Sequence, residues 1–155
     1  MILNELEQGL KTSFFEKNHK SDHFYQTKLV TNTALKEKVI NTFESELATC
    51  TSFWFTTAFL SMSGLSSLYS LLQDLQRRNI PGQILVSQYL NFTQPEALRR
   101  LKTYSNLDVR IETCSDLHSK IYLFEHQNHT SVLVGSSNLT ANALSKNEEM
   151  NIFMR

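Results

Sequence analysis

Residues 118–137, HSKIYLFEHQNHTSVLVGSS, hold two apolar runs separated only by the polar Gln127, Asn128 and His129. Both runs, HSKIYLFEH and TSVLVGSS, have the composition and length of strands. A crossover helix needs far more chain than three residues, so the two predict neighbouring antiparallel strands.

Upstream the pattern differs. Leu35, Val39, Ile40, Phe43 and Leu47 recur at helical period, and SFWFTTAFL (residues 52–60) then supplies a β-branched and aromatic run. Leu65, Leu68, Leu72 and Leu75 line one face of a second helix, with Arg77 and Arg78 in its last turn and Pro81-Gly82 as its stop. GQILVSQ reads as the next strand. Asn91 to Thr93 offer helix-start chemistry ahead of Pro95 and EALRRLKTY, and LDVRIET is a further strand. This alternation predicts βαβ crossovers. Joined to the C-terminal hairpin, it gives an α/β fold with a mixed, mostly parallel sheet carrying helices on both faces. Leu3, Leu6, Leu10 and Phe14 suggest an amphipathic opening helix.

At 155 residues, 41% hydrophobic and 19% charged, the chain suits a single domain spanning residues 1–155. Its 15 basic and 15 acidic side chains cancel, so recognition of phosphate must come from a local site rather than a global field. Cys50 and Cys114 lie far apart and outside any C-x-x-C pair, which argues for reduced thiols in a cytoplasmic protein. MILNELEQGLKTSFFEK lacks the features of a secretory signal, and no stretch has the apolar length of a membrane span. NEEMNIFMR stops at Arg155 within a strand-like run, as in a domain cut from a longer protein.

Within the decisive stretch, His118 and Lys120 are two positions apart. On a strand they would face the same way with Cα atoms roughly 6 to 7 Å apart, close enough to share one phosphate. Gly135 permits close backbone approach, and Ser136, Ser137 and Asn138 present short polar groups beyond the next strand's end. His118 thus offers a nucleophile or base, Lys120 a stabilising charge, and Ser136 and Asn138 neutral donors. A carboxylate in Asn147-Glu148-Glu149 could hold an imidazole in the right tautomer and orientation, although spacing does not show contact. No metal cage or cofactor motif is evident.

H-S-K, then G-S-S-N, then N-E-E resembles the H-x-K, G-S-x-N, N-x-E arrangement of the phospholipase D superfamily. More widely, SDHFYQTKLVTN, ILVSQYLNFTQPEALRRL and VGSSNLTANALSKNEEMN resemble the phospholipase D-like nuclease domain that opens certain bacterial DEAD/DEAH-type helicases. The resemblance implies that His118 attacks phosphorus to form a phosphohistidine. Lys120, Ser136 and Asn138 would hold the phosphoryl oxygens, and Glu149 would orient and charge-balance the imidazole. Glu125 stands where the family has aspartate, a mostly structural position, and the interval from it to Gly135 is longer than usual. The family builds one active site from two H-x-K motifs. This chain has one, which implies a homodimer whose second histidine protonates the leaving oxygen.

Other residues have blander readings. His19, His23, His126 and His129 are irregularly spaced in polar segments and read as non-ligating. Arg77, Arg78, Arg99, Arg100 and Lys102 could track a nucleic-acid backbone, but solvated helix faces explain them as well. Phe53, Trp54, Phe55 and Phe59 read as packing. The expectation is a metal-independent nuclease acting on nucleic acid, most simply DNA, as the nuclease module of a helicase or restriction-type protein. The rival readings are a catalytically silent DNA-docking or dimerisation module and, third, a phospholipid hydrolase or transferase.

Overall fold

The structure is a computed structural model that describes residues 27–33 and 38–155. Among these the elements run β1 (Thr27–Thr31), α1 (Val39–Thr49), β2 (Ser52–Thr57), α2 (Met62–Arg77), β3 (Gly82–Ser87), α3 (Pro95–Leu101), β4 (Leu107–Glu112), β5 (Ile121–Glu125), β6 (Thr130–Gly135), α4 (Ala141–Ser145) and β7 (Met150–Met154). The seven strands form one sheet in the order β1-β7-β6-β5-β2-β3-β4.

The hairpin forms as its short connection demands: β5 and β6 are antiparallel, Tyr122 opposite Leu133 and Glu125 opposite Thr130. β2, β3 and β4 are parallel, joined through α2 and α3. Every other pairing is antiparallel, including that of β5 with β2. The sheet is therefore mixed, as expected, but mostly antiparallel rather than mostly parallel. The reason lies in residues 113–120. This helix-free link leaves the edge strand β4 at its carboxyl end and returns the chain beside β2, running the other way.

One face of the sheet is dry. Phe53, Phe55, Tyr122, Phe124, Leu133 and Phe153 are buried there with Phe43 and Leu47 of α1 and Leu65, Leu68, Leu72 and Leu75 of α2. Phe43 sits edge-on to Phe55, Tyr122 and Phe124 at centroid distances of 5.3, 4.8 and 5.7 Å. Ala97 and Leu101 of α3 and Leu144 of α4 join the same core. The described helices thus pack on one face, not on both. The other face, with Trp54, Leu123 and Val132 in register, carries none of them. The expected opening helix and the helical turn at Leu35 lie outside the described residues.

Local chemistry fixes the helix ends. Ser61 caps α2 by accepting from the Gly64 amide at 3.1 Å, and Thr140 caps α4 by accepting from Ala143 at 3.2 Å. Lys38 offers α1 no side-chain cap, and Asn32 Oδ1 accepts from the Val39 amide at 2.9 Å in its place. Arg78 donates to the carbonyls of Leu47 and Ala48 at the end of α1, 2.7 and 3.1 Å away, where a cation offsets the helix dipole. Asn79, with φ of 54°, ends α2 before Pro81 is reached. No helix among the described residues is long and apolar enough to cross a membrane.

Candidate active site

The carboxyl ends of β2 and β3 point to one edge of the sheet, where open α/β folds place their ligands. Five segments meet there: the turn after β2, the loop between β3 and α3, the link 113–120, the turn after β6, and the residues before β7. His118 and Lys120 ride on the link just ahead of β5, not within the strand as the apolar run suggested. Their side chains still project to one side, where the Lys120 ammonium reaches the His118 ring, and the Gly135 amide donates to the Lys120 carbonyl at 3.3 Å.

Lys120 is buried while His118 is exposed. The Lys120 ammonium lies 3.0 Å from Nδ1 and 3.3 Å from Nε2 of His118, and donates to the His118 carbonyl at 2.7 Å. It also stands 5.9 Å from the centre of the Phe59 ring. Burial pulls the lysine below its ordinary pKa of 10.5, and the nearby charge of Glu149 partly opposes the shift.

Glu149 accepts a short hydrogen bond from Ser136 Oγ, which in turn accepts from the Met150 amide at 3.0 Å. Its carboxylate is therefore on Ser136 rather than on His118, so the expected orienting contact is absent within the single chain. Asn138 is held by its amide oxygen, which accepts from the Phe59 amide at 3.0 Å and from Thr57 Oγ1 at 3.3 Å. This fixes Asn138 half-buried beside the turn that carries Phe59.

Ser137, Gly135 and Glu125 make structural contacts, which for Glu125 is the kind of role expected. Ser137 is fully buried: its amide donates to Asn151 Oδ1 at 3.2 Å and its hydroxyl accepts from Asn151 Nδ2 at 2.9 Å, so it cannot meet substrate. Gly135 is required by β7, because a Cβ there would come within 2.3 Å of the Met150 carbonyl oxygen. Glu125 sits at the far end of β5, accepting from Thr130 Oγ1 at 2.8 Å.

Aromatic residues surround the imidazole. The rings of Phe59 and Tyr89 lie 5.8 and 5.4 Å from that of His118, both edge-on, and Phe92 is 5.0 Å from Phe59. Phe92 is 59% exposed, so this ring has a face open to a ligand. Leu90 and Asn91, in the same loop, hold left-handed backbone conformations with φ of 52° and 55°. Phe53 and Phe55 are core, as expected, whereas Phe59 belongs to the site. The sequence signal for Phe59 was masked by its position in an apolar run, and Tyr89 and Phe92 had none. The basic residues are engaged locally: Arg77 and Arg78 with Asp74, Arg99 with Glu96, and Arg100 over the Tyr69 ring.

A family model, that of the PLD-like domain of cardiolipin synthase, matches residues 29–155. The chain belongs to this PLD-like family. Solved structures of similar fold include NucT from Helicobacter pylori, with a TM-score of 0.68, 15% identity, and coverage of 84% of this chain and 85% of that one. Nuc from Salmonella typhimurium, a phospholipase D family member, gives 0.62, 16%, 84% and 82%. Phosphatidylserine synthase of Haemophilus influenzae gives 0.63 and 14%, covering 88% of this PLD-like domain but only 36% of the synthase. No curated protein matches the chain significantly.

Proposed function

We propose that this PLD-like domain is a metal-independent phosphodiesterase that cleaves nucleic acid through a phosphohistidine intermediate. The observation that carries the proposal is the exposed imidazole of His118 backed at 3.0 Å by the buried ammonium of Lys120. A ring nitrogen of His118 forms a bond to phosphorus as the bond to the leaving oxygen breaks. Lys120 and the amide group of Asn138 stabilise charge on the phosphoryl oxygens, and Ser136 joins them once its hydroxyl turns from Glu149 to substrate. Water then attacks phosphorus, the P–N bond breaks, and the imidazole is restored. The leaving oxygen takes its proton from the equivalent histidine of a second copy, which recovers one from the attacking water.

Two features favour nucleic acid over lipid. The open faces of Phe92 and its neighbours suit base stacking. The fold likeness spans over four-fifths of NucT and of Nuc, against about a third of the synthase. The helicase-like stretches of the sequence support a role as the nuclease module beside a motor. Incubation with single- and double-stranded DNA and RNA in excess EDTA tests the proposal. The parent is expected to cut, and His118→Ala to lose at least about a thousandfold in rate. Equal cutting by both proteins would refute the assignment of His118.

A second reading is a silent docking module, favoured by the position of Glu149 on Ser136 instead of on His118. It predicts nucleic-acid binding that persists in His118→Ala with no turnover by the parent. Turnover of phospholipid vesicles in the same buffer, without cutting of DNA or RNA, would move the assignment to lipid.

A further inference from the structure

At the end of the sheet opposite His118, α1 meets the β5–β6 hairpin through three side chains. Glu46 of α1 is 2% exposed and His126 8%, and His129 is half-buried. One carboxylate oxygen of Glu46 and one ring nitrogen of each histidine lie within 4.8 Å of one another. Irregular spacing had set these histidines aside as ligands, but spacing along the chain could not reveal a glutamate 80 residues before His126.

We propose that Glu46, His126 and His129 form a binding site for a small transition-metal dication of the zinc type. Two imidazoles and a carboxylate are a donor set such ions accept, with a fourth position left for water, whereas calcium and magnesium prefer oxygen alone. The supporting contacts are in place. His126 Nε2 faces Glu46 Oε2 at 2.9 Å, and Arg155 donates to the other carboxylate oxygen at 3.1 Å, leaving Oε2 toward the rings. Thr49 Oγ1 lies 3.3 Å from His126 Nδ1, a partner for the nitrogen turned away from the ion. The His126 amide donates to the His129 carbonyl at 2.8 Å, which fixes the spacing of the two histidines across their turn.

The rings stack with centroids 4.4 Å apart and planes 8° from parallel. Parallel rings do not aim two edge nitrogens at one point, so coordination tilts His129 out of the stack. The ion then ties α1 to the hairpin as a structural clip. It takes no part in cleavage, because the length of β5, roughly 13 Å, separates this end from the link that carries His118.

The test uses the whole chain stripped with EDTA, titrated with Co2+ and then Zn2+ alone at pH 7.5. One ion per chain is expected, with a tetrahedral Co2+ absorption lacking a thiolate charge-transfer band. Saturating Zn2+ should raise Tm by about 5 °C or more. Glu46→Gln and His129→Gln should each weaken binding at least tenfold, and His118→Ala should not. In the unmutated chain, Co2+ should broaden the NMR signals of the His126 and His129 rings, a measurement that holds even if a variant fails to fold. No stoichiometric binding, or broadening confined to other histidines, would overturn the proposal. Because the readout is binding and not cleavage, failure here is separate from failure of the nuclease reading.

Discussion

Holding an ammonium group against an imidazole in a buried position costs desolvation, and Lys120 bears that cost. Its pKa falls from 10.5 because of burial, with Glu149 partly opposing the shift. On the proposed mechanism the lysine supports phosphoryl charge only while protonated, so rising pH removes that support. The alkaline limb of the pH–rate profile is expected below pH 10.5, and Glu149→Gln should move it lower still; a limb that stays put in that variant would separate Glu149 from Lys120. The two thiols contrast as sharply. Burial raises the Cys50 pKa to about 11, and Cys114 is exposed. Maleimide at neutral pH should label one thiol, Cys114, and reach Cys50 only after denaturation, as mass spectrometry would report. At this scale His118, Lys120, Ser136, Asn138 and Glu149 were legible because they fall within a short stretch at fixed spacing. Phe59, Tyr89 and Phe92 come from two distant loops, and no local pattern marks the point where those loops meet.

Elements position the site through close backbone contacts. The first turn of α2 packs on the turn after β6, where a Cβ at Gly64 would come 2.0 Å from the Leu139 carbonyl oxygen. That oxygen also accepts from the Ser61 amide, and the Leu139 amide donates to Phe59, so the two turns are stitched together. Gly64→Ala must force them apart and draw Asn138 away from the Phe59 amide. A loss of about 1–3 kcal/mol is expected from such overpacking, measured by urea denaturation, with a fall in turnover beyond what unfolding explains. Unchanged stability would mean that the turns move freely, and the account of how Asn138 is positioned would fail. Strand and helix identities were readable from their periods. The balance of the sheet was not, because the pattern of βαβ units says nothing of where a helix-free link carries the chain. Residues 113–120 carry it across the carboxyl edge, and the same link delivers His118 and Lys120 to that edge.

For the whole molecule, the number of imidazoles at the candidate site sets the terms. One chain supplies one His118, no second imidazole stands opposite it among the described residues, and Glu149 is engaged with Ser136. On the proposed mechanism, with one histidine as nucleophile and a second as general acid, the requirement is two chains about a two-fold axis, each giving the other its histidine. Two consequences follow from that requirement. Specific activity should rise with chain concentration and level off where sedimentation shows the dimer to be filled. Mixing the parent with a ninefold excess of His118→Ala, under conditions that exchange subunits, leaves about one-tenth of parent chains paired with another parent. If both histidines are needed, activity per parent chain should fall to about that fraction. If activity per parent chain is unchanged by the excess variant, a single chain carries out the reaction alone, and the general acid must be sought within it.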